Sequence, residues 1–332
     1  MPLRPIAEET QRAEAESMGG ENTTHELLRR RSASDAALAP LALLWRQTHQ
    51  LSHPGASSAF VRSFSPAPRF ASTAVRVPEE FLKYDRWRRT RACTSFRGST
   101  HCAIEWDEWV MATALLSPAH TVLELGARYG TTSCVLAAAT NNSGHVVSVE
   151  PDVSVYDDLL HNRDSHACNF HVALGTLGPK RQRINPRYMS GYGRTTQGVS
   201  ADELASDSFD FRELERRIGG RFNAALVDCE GCIDGVLESG LLAQLELLLM
   251  EEDGEYRTSS AHRQAYSRVH DELRRNGFER VWHSHDTAAP GQAWSERIEH
   301  SAWTRGVTSE SNVLCHQAAA RYQYSAAQLK CF

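Results

Sequence analysis

Val122-Leu123-Glu124-Leu125-Gly126-Ala127-Arg128-Tyr129-Gly130-Thr131-Thr132-Ser133 is the stretch on which the fold turns. A short apolar run closed by glycine reads as a buried strand. Gly126 gives the chain a sharp turn and close approach to a ligand. Gly130 lets a helix pack tightly behind it, and Thr131, Thr132 and Ser133 suit a helix start. The same step recurs downstream. The pattern predicts strands over 121–125, 145–149, 169–174, 224–227, 245–250 and 278–283. Helices are expected up to Thr140, up to Asn162, over 211–218, before Leu245 and over 261–276, and a final antiparallel strand over 301–305. Strands alternating with helices imply crossover units and a doubly wound, mostly parallel α/β sheet.

The turn itself narrows the ligand. Dinucleotide sites use G-x-G-x-x-G, whose second glycine makes room for a pyrophosphate. Here the spacing is G-x-x-x-G, with Arg128 in that place, and the acidic Glu124 would repel phosphate. An acid there suits a ligand carrying an ammonium and a sulfonium, as S-adenosylmethionine does. Glu150 closes the next strand, twenty residues after Gly130. At the switch point of a doubly wound sheet it can accept both hydroxyls of a ribose.

A third segment is Ala225-Leu226-Val227-Asp228-Cys229-Glu230-Gly231-Cys232. The first turn, Glu150 and this D-x-E-G turn together resemble the FkbM-type methyltransferases. Val172-Ala173-Leu174-Gly175 and Leu247-Leu248-Leu249-Met250-Glu251 are similar to that family's third and fifth strand ends. The resemblance spans residues 122–286. It implies a seven-stranded, Rossmann-like class I methyltransferase sheet and methyl transfer, usually to oxygen, with S-adenosylmethionine as cofactor. It implies cofactor contacts at Gly126, Ala127, Gly130 and Glu150, beside Glu124, with Ala173 and Leu174 by the adenine and Asp228 near the methionine end. Where many members carry a second Glu after D-x-E-G, this chain has Ile233. Methyltransferases acting on exocyclic nitrogens carry an Asp/Asn-Pro-Pro-aromatic turn at this place. Asp228-Cys229-Glu230-Gly231 favours a hydroxyl or carboxylate acceptor instead.

Transfer to an alcohol needs a general base. Asp228, Glu230 and His283 are the candidates, with His285 beside them. Asp228, Glu230, Glu251, Glu252 and Asp253 crowd the carboxyl ends of adjacent strands, where like charges raise one another's pKa. Such a group can also hold a divalent cation, but spacing alone assigns no metal ligand. Cys229-x-x-Cys232 reads as a pair of buried thiols. Cys93 and Cys102 pair if the compartment is oxidising. The segment 185–194 is a lid over the acceptor or an insert.

The chain has 332 residues, 41% hydrophobic, with a formal charge of -5. That balance argues against nucleic acid or anionic membrane as the main partner. The run Arg86, Arg88, Arg89, Arg91 around Trp87 reads as a solvated face. The apolar run 36–45 is too short to span a bilayer. Residues 1–75 read as a flexible N-terminal extension with targeting-like features, 76–120 as a helical lead-in, 121–305 as the methyltransferase domain and 306–332 as a tail. The address is open, with the cytoplasm favoured. The expected function is O-methylation of a small-molecule or glycan hydroxyl. The alternatives are a catalytically silent methyltransferase-like binding domain and, disfavoured by the missing glycine, a nicotinamide-linked oxidoreductase.

Overall fold

In chain order the elements are β1 (Phe64–Ser65), α1 (Trp106–Leu115), β2 (Val122–Leu125), α2 (Thr131–Ala139), β3 (Val146–Glu150), α3 (Tyr156–Ser165) and β4 (His171–Leu174). Four short strands follow, β5 (Thr176–Leu177), β6 (Gln182–Ile184), β7 (Thr196–Gly198) and β8 (Ser208–Phe209). Then come α4 (Phe211–Ile218), β9 (Ala224–Val227), α5 (Ile233–Ser239), β10 (Leu247–Glu252), α6 (Ser260–Arg275), β11 (Phe278–His285), β12 (Glu299–Arg305), α7 (Thr308–Arg321) and β13 (Leu329–Cys331). The computed structural model describes residues 64–68, 93–98, 102–179, 182–184, 196–198, 207–252, 260–287, 298–306, 308–325 and 328–332. All of them lie within one unit, 57–332. The arginine run at 86–91, the segment 185–194 and Asp253 lie outside the described residues.

The central sheet runs β4-β3-β2-β9-β10-β12-β11. Its first five strands are parallel, and β12 is antiparallel to both β10 and β11. The strand order reverses between β2 and β9, which makes their carboxyl ends the switch point where such sheets bind ligands. The seven-stranded core is therefore present. A short antiparallel strand is added at each edge, β1 on β4 and β13 on β11. Short edge strands blunt the exposed backbone of a sheet.

Alternation sorts the side chains onto two faces. Leu123, Leu125, Val147, Val149, Ala225, Val227, Leu248 and Met250 share one face and form the main core with Leu214 of α4, Val236 of α5 and Val269 of α6. The opposite face carries Glu124, Ser148, Glu251 and His300, and receives α1 and α2. Trp106, Trp109 and Val110 of α1 are fully buried, and Trp109 Nε1 donates to Thr132 Oγ1 of α2 at 2.9 Å. A helix buried nearly all round is a core element.

All eight cysteines are paired: Cys93–Cys102, Cys134–Cys168, Cys229–Cys232 and Cys315–Cys331. This corrects the expectation of free thiols at Cys229 and Cys232. The turn after β9 brings their Cα atoms to 5.5 Å, within the span a disulfide bridges. Residues 306–332, outside the domain in the sequence pattern, contribute α7 and β13, joined by Cys315–Cys331. Asp107 of α1 ties this end to the core. It accepts from Tyr324 Oη at 2.6 Å and from both Thr287 N and Thr287 Oγ1.

Candidate active site

The switch-point turn is built by backbone contacts. Gly126 N donates to Val149 O at 3.0 Å, and Asp228 N donates to Leu125 O at 3.0 Å. Gly126 has φ +99°, and a Cβ on it would lie 1.6 Å from the carbonyl oxygen of Asp228. The sequence pattern gives that freed space to a ligand. In the structure the backbone of Asp228 occupies it, so Gly126 is required to seat the β2 turn against the β9 turn. Gly130 has φ +81°, and its Cβ would meet Leu159 Cδ1 of α3 at 2.7 Å, which is the close packing expected there.

Glu150 is 4% exposed and holds the loop with both oxygens. Oε2 accepts from Arg128 N and Oε1 from Asp152 N, each at 2.7 Å. Arg128 Nη1 bonds Asp152 Oδ2 at 2.8 Å and closes the group. Arg128 takes φ +45°, a left-handed conformation that a non-glycine residue holds at a cost. Its side chain is turned aside by Asp152, so its size does not fill the turn. Burial pushes the Glu150 carboxyl up to about 7. A carboxylate has about four lone-pair positions, and the two backbone donors use two of them. Two remain.

The other expected cofactor residues lie at or near the carboxyl ends of β2, β4 and β9. Gly126, Leu174 and Asp228 are half-buried, while Ala127 and Ala173 are buried. Glu124 lies deeper. It is fully buried, its Oε2 accepts from Ser133 Oγ at 2.5 Å, and burial pushes its carboxyl up to about 7. It supports the start of α2 from beneath. Glu230 sits in the next turn with φ +44°, between the two halves of the Cys229–Cys232 disulfide.

His283 is not brought to this place. It is paired across β12 with Ser301, whereas Ser284 is paired with His300. Neighbouring strand residues face opposite ways, so His283 points to the α6 side. There its Nε2 lies 3.0 Å from Glu299 Oε2 and its ring packs edge-on to His285. Glu252 shares that face, with His270 Nε2 3.0 Å from its Oε1.

The face that holds Glu124 gathers a group the sequence pattern does not bring together. Glu105 ends the turn before α1, and Glu108 lies in its first helical turn. Potential ligand atoms of Glu105, Glu108 and Asp228 lie within 4.8 Å of one another, as do those of Glu108, Glu251 and His300. Burial pushes Glu105 up to about 7. Burial, then the charges of Asp228, Glu105 and Glu251, push Glu108 well above the usual carboxylate range. The i, i+3 spacing of Glu105 and Glu108 was the available signal, beside the fully buried Trp106 and Trp109.

No known family profile and no curated protein sequence matches the chain. Solved structures do. The O-methyltransferase TomG from Streptomyces achromogenes, involved in tomaymycin synthesis and solved with SAM, is 15% identical over 70% of this chain and 92% of its own, with a TM-score of 0.41. Aeropyrum pernix fibrillarin, with natively bound S-adenosyl-L-methionine, is 15% identical over 59% of this chain and 76% of its own, with a TM-score of 0.37. An rRNA methylase from Streptococcus thermophilus is 12% identical over 60% and 94%, with a TM-score of 0.39. Among the described residues no helix is long and apolar enough to cross a membrane. By its own strand order and crossovers, the chain is a doubly wound, mostly parallel, Rossmann-like α/β protein.

Proposed function

We propose that the chain binds S-adenosylmethionine in the crevice between β2 and β9 and methylates a hydroxyl of a small-molecule or glycan acceptor. The observation that carries the reading is Glu150, a buried strand-end acid at the switch point with two lone-pair positions to spare. Those would take the ribose hydroxyls, with Gly126 and Ala127 alongside and Ala173 and Leu174 by the adenine. When bound, the cofactor supplies a methyl group on a sulfonium. Asp228 and Glu230 lie where the acceptor's proton must leave, and either serves as general base. The carboxylates of Glu105, Glu108, Asp228 and Glu251 make this edge acidic, which favours an uncharged acceptor over a phosphate backbone. The E-x-G-x-x-x-G turn, Glu150 and D-C-E-G support an FkbM-type reading of the enzyme. The catalytic domain takes in α1 and the elements from β2 to β13, with β1 on its edge.

S-adenosylhomocysteine at about 100 times its Kd should stabilise the folded chain by about 2.7 kcal/mol. For a domain of this size that is a rise in Tm of roughly 5–10 °C. NAD should give none. A folded sample whose melting is unmoved by saturating S-adenosylhomocysteine removes the cofactor from the reading.

The disulfides also bear on the compartment. Four bonds with no cysteine left over are the pattern of an oxidising environment, and we place maturation there rather than in the cytoplasm. Thiol titration of the natively produced protein, unfolded without reductant, should find no free thiol. Eight titratable thiols would return it to the cytoplasm.

A further inference from the structure

We propose that Glu108, Glu251 and His300, with Glu105 and Asp228 alongside, form a binding site for a divalent transition-metal ion on the α1 face of the sheet. The proposal concerns the ion alone and stands whether or not the chain transfers methyl groups.

The donors come from four separate elements. Glu108 is on α1, Asp228 follows β9, Glu251 is in β10 and His300 in β12. The register places Glu251 directly opposite His300, and His300 Nε2 lies 3.2 Å from Glu251 Oε2. Two three-residue groups, each with its ligand atoms within 4.8 Å, share Glu108 at their centre.

An acidic cluster alone is not a site. What points to a ligand is Glu108 itself. It is 1% exposed, yet no donor from outside the acidic group reaches either of its carboxylate oxygens, whose polar neighbours are the carboxyls of Glu105 and Glu251. Buried carboxylates elsewhere in this chain have such donors. Glu150 has two backbone donors and Glu124 has Ser133. A buried carboxylate without outside donors is costly to ionise, and the residues facing Glu108 are three more carboxylates and an imidazole. His300 is fully buried, and its Nδ1 also lacks a partner. A dication satisfies all of these oxygens together, where each further carboxylate only adds repulsion.

The donor types select the ion. Carboxylate oxygens suit Mg²⁺, Ca²⁺ and Mn²⁺, and imidazole suits first-row transition ions. Mn²⁺ meets both requirements. Sequence spacing could not assign it, because Glu105 and Glu108 are brought to Asp228, Glu251 and His300 only by the packing of α1 on the sheet.

The experiment titrates Mn²⁺ into the purified full-length chain after chelator treatment and follows the free ion by electron paramagnetic resonance. Uptake of one ion per chain is expected, with a Kd in the micromolar range. Glu108→Gln and His300→Gln each remove a ligand from a different element, and each should weaken uptake by about tenfold or more, with unchanged circular dichroism. Mg²⁺ should compete poorly, since it lacks a preference for the imidazole. A folded parent chain that takes up no Mn²⁺ to about 1 mM, a dissociation free energy near 4 kcal/mol, overturns the proposal without reference to either variant. So does uptake that both folded variants retain, or equal competition by Mg²⁺. In the first of those cases the carboxylates are neutralised by shared protons.

Discussion

Gly126→Ala should destabilise the folded chain by about 2–6 kcal/mol. Two costs combine. The residue sits at φ +99°, and a non-glycine side chain held in such a region costs on the order of 1–3 kcal/mol. The added Cβ would also fall 1.6 Å from Asp228 O, 2.7 Å from Asp228 C and 3.3 Å from Cys229 Cα. Those are backbone atoms, and Asp228 N is itself bonded to Leu125 O. Nothing at the end of a flexible side chain is available to move, so overpacking adds roughly 1–3 kcal/mol. The control is Gly219→Ala. Gly219 has φ +67° and open space around the missing Cβ, so only the left-handed conformation is penalised, at about 1–2 kcal/mol. Urea unfolding of the two variants measures the difference. Equal midpoints would mean that the β2 and β9 turns are not in contact and that the switch-point geometry is misdescribed.

Glu150→Ala should weaken S-adenosylhomocysteine binding by about a hundredfold or more. A hydrogen bond to a charged group contributes about 1.5–3 kcal/mol, and two ribose hydroxyls are involved. The substitution also strips acceptors from Arg128 N and Asp152 N. The loop therefore loosens, and some folding stability is lost with it. Equilibrium titration at a temperature where circular dichroism shows the variant folded separates the two effects. The ribose contact is equal in ground and transition states, so turnover at saturating cofactor should change little. Asp228→Asn, nearer the transferred methyl, should show the reverse. Parental affinity in folded Glu150→Ala would move the cofactor away from β3, even if the thermal shift established that it binds.

Much of the fold was legible because it is written locally. The run 122–133 contains its own strand, turn glycine and helix start, and the matching elements fall within a few residues of their expected bounds. α4 spans Phe211–Ile218, as its pattern reads. The boundaries that slipped are at the sheet edges. Phe64–Ser65 and Leu329–Cys331 are two and three residues long, too short to carry a period, and they exist only because a partner strand is present. The site was partly legible for the same reason. Glu150 ends a strand that is apolar but for Ser148, so its place at the carboxyl end comes from counting.

The sequence by itself determined the order of strands and helices, the doubly wound class and the acid at the end of β3. Each depends on side-chain periodicity and turn chemistry within a dozen residues. Tertiary structure alone decided what meets across those elements. It put Asp228's carbonyl in the space of Gly126's missing side chain, paired the cysteines, and turned His283 and His300 to opposite faces of one sheet. It also seated Glu108 of α1 against Asp228, Glu251 and His300. The physical reason is that strand parity and helix docking are fixed by burial of the whole core. A one-residue change of register reverses which side chains meet, and no local pattern records that choice.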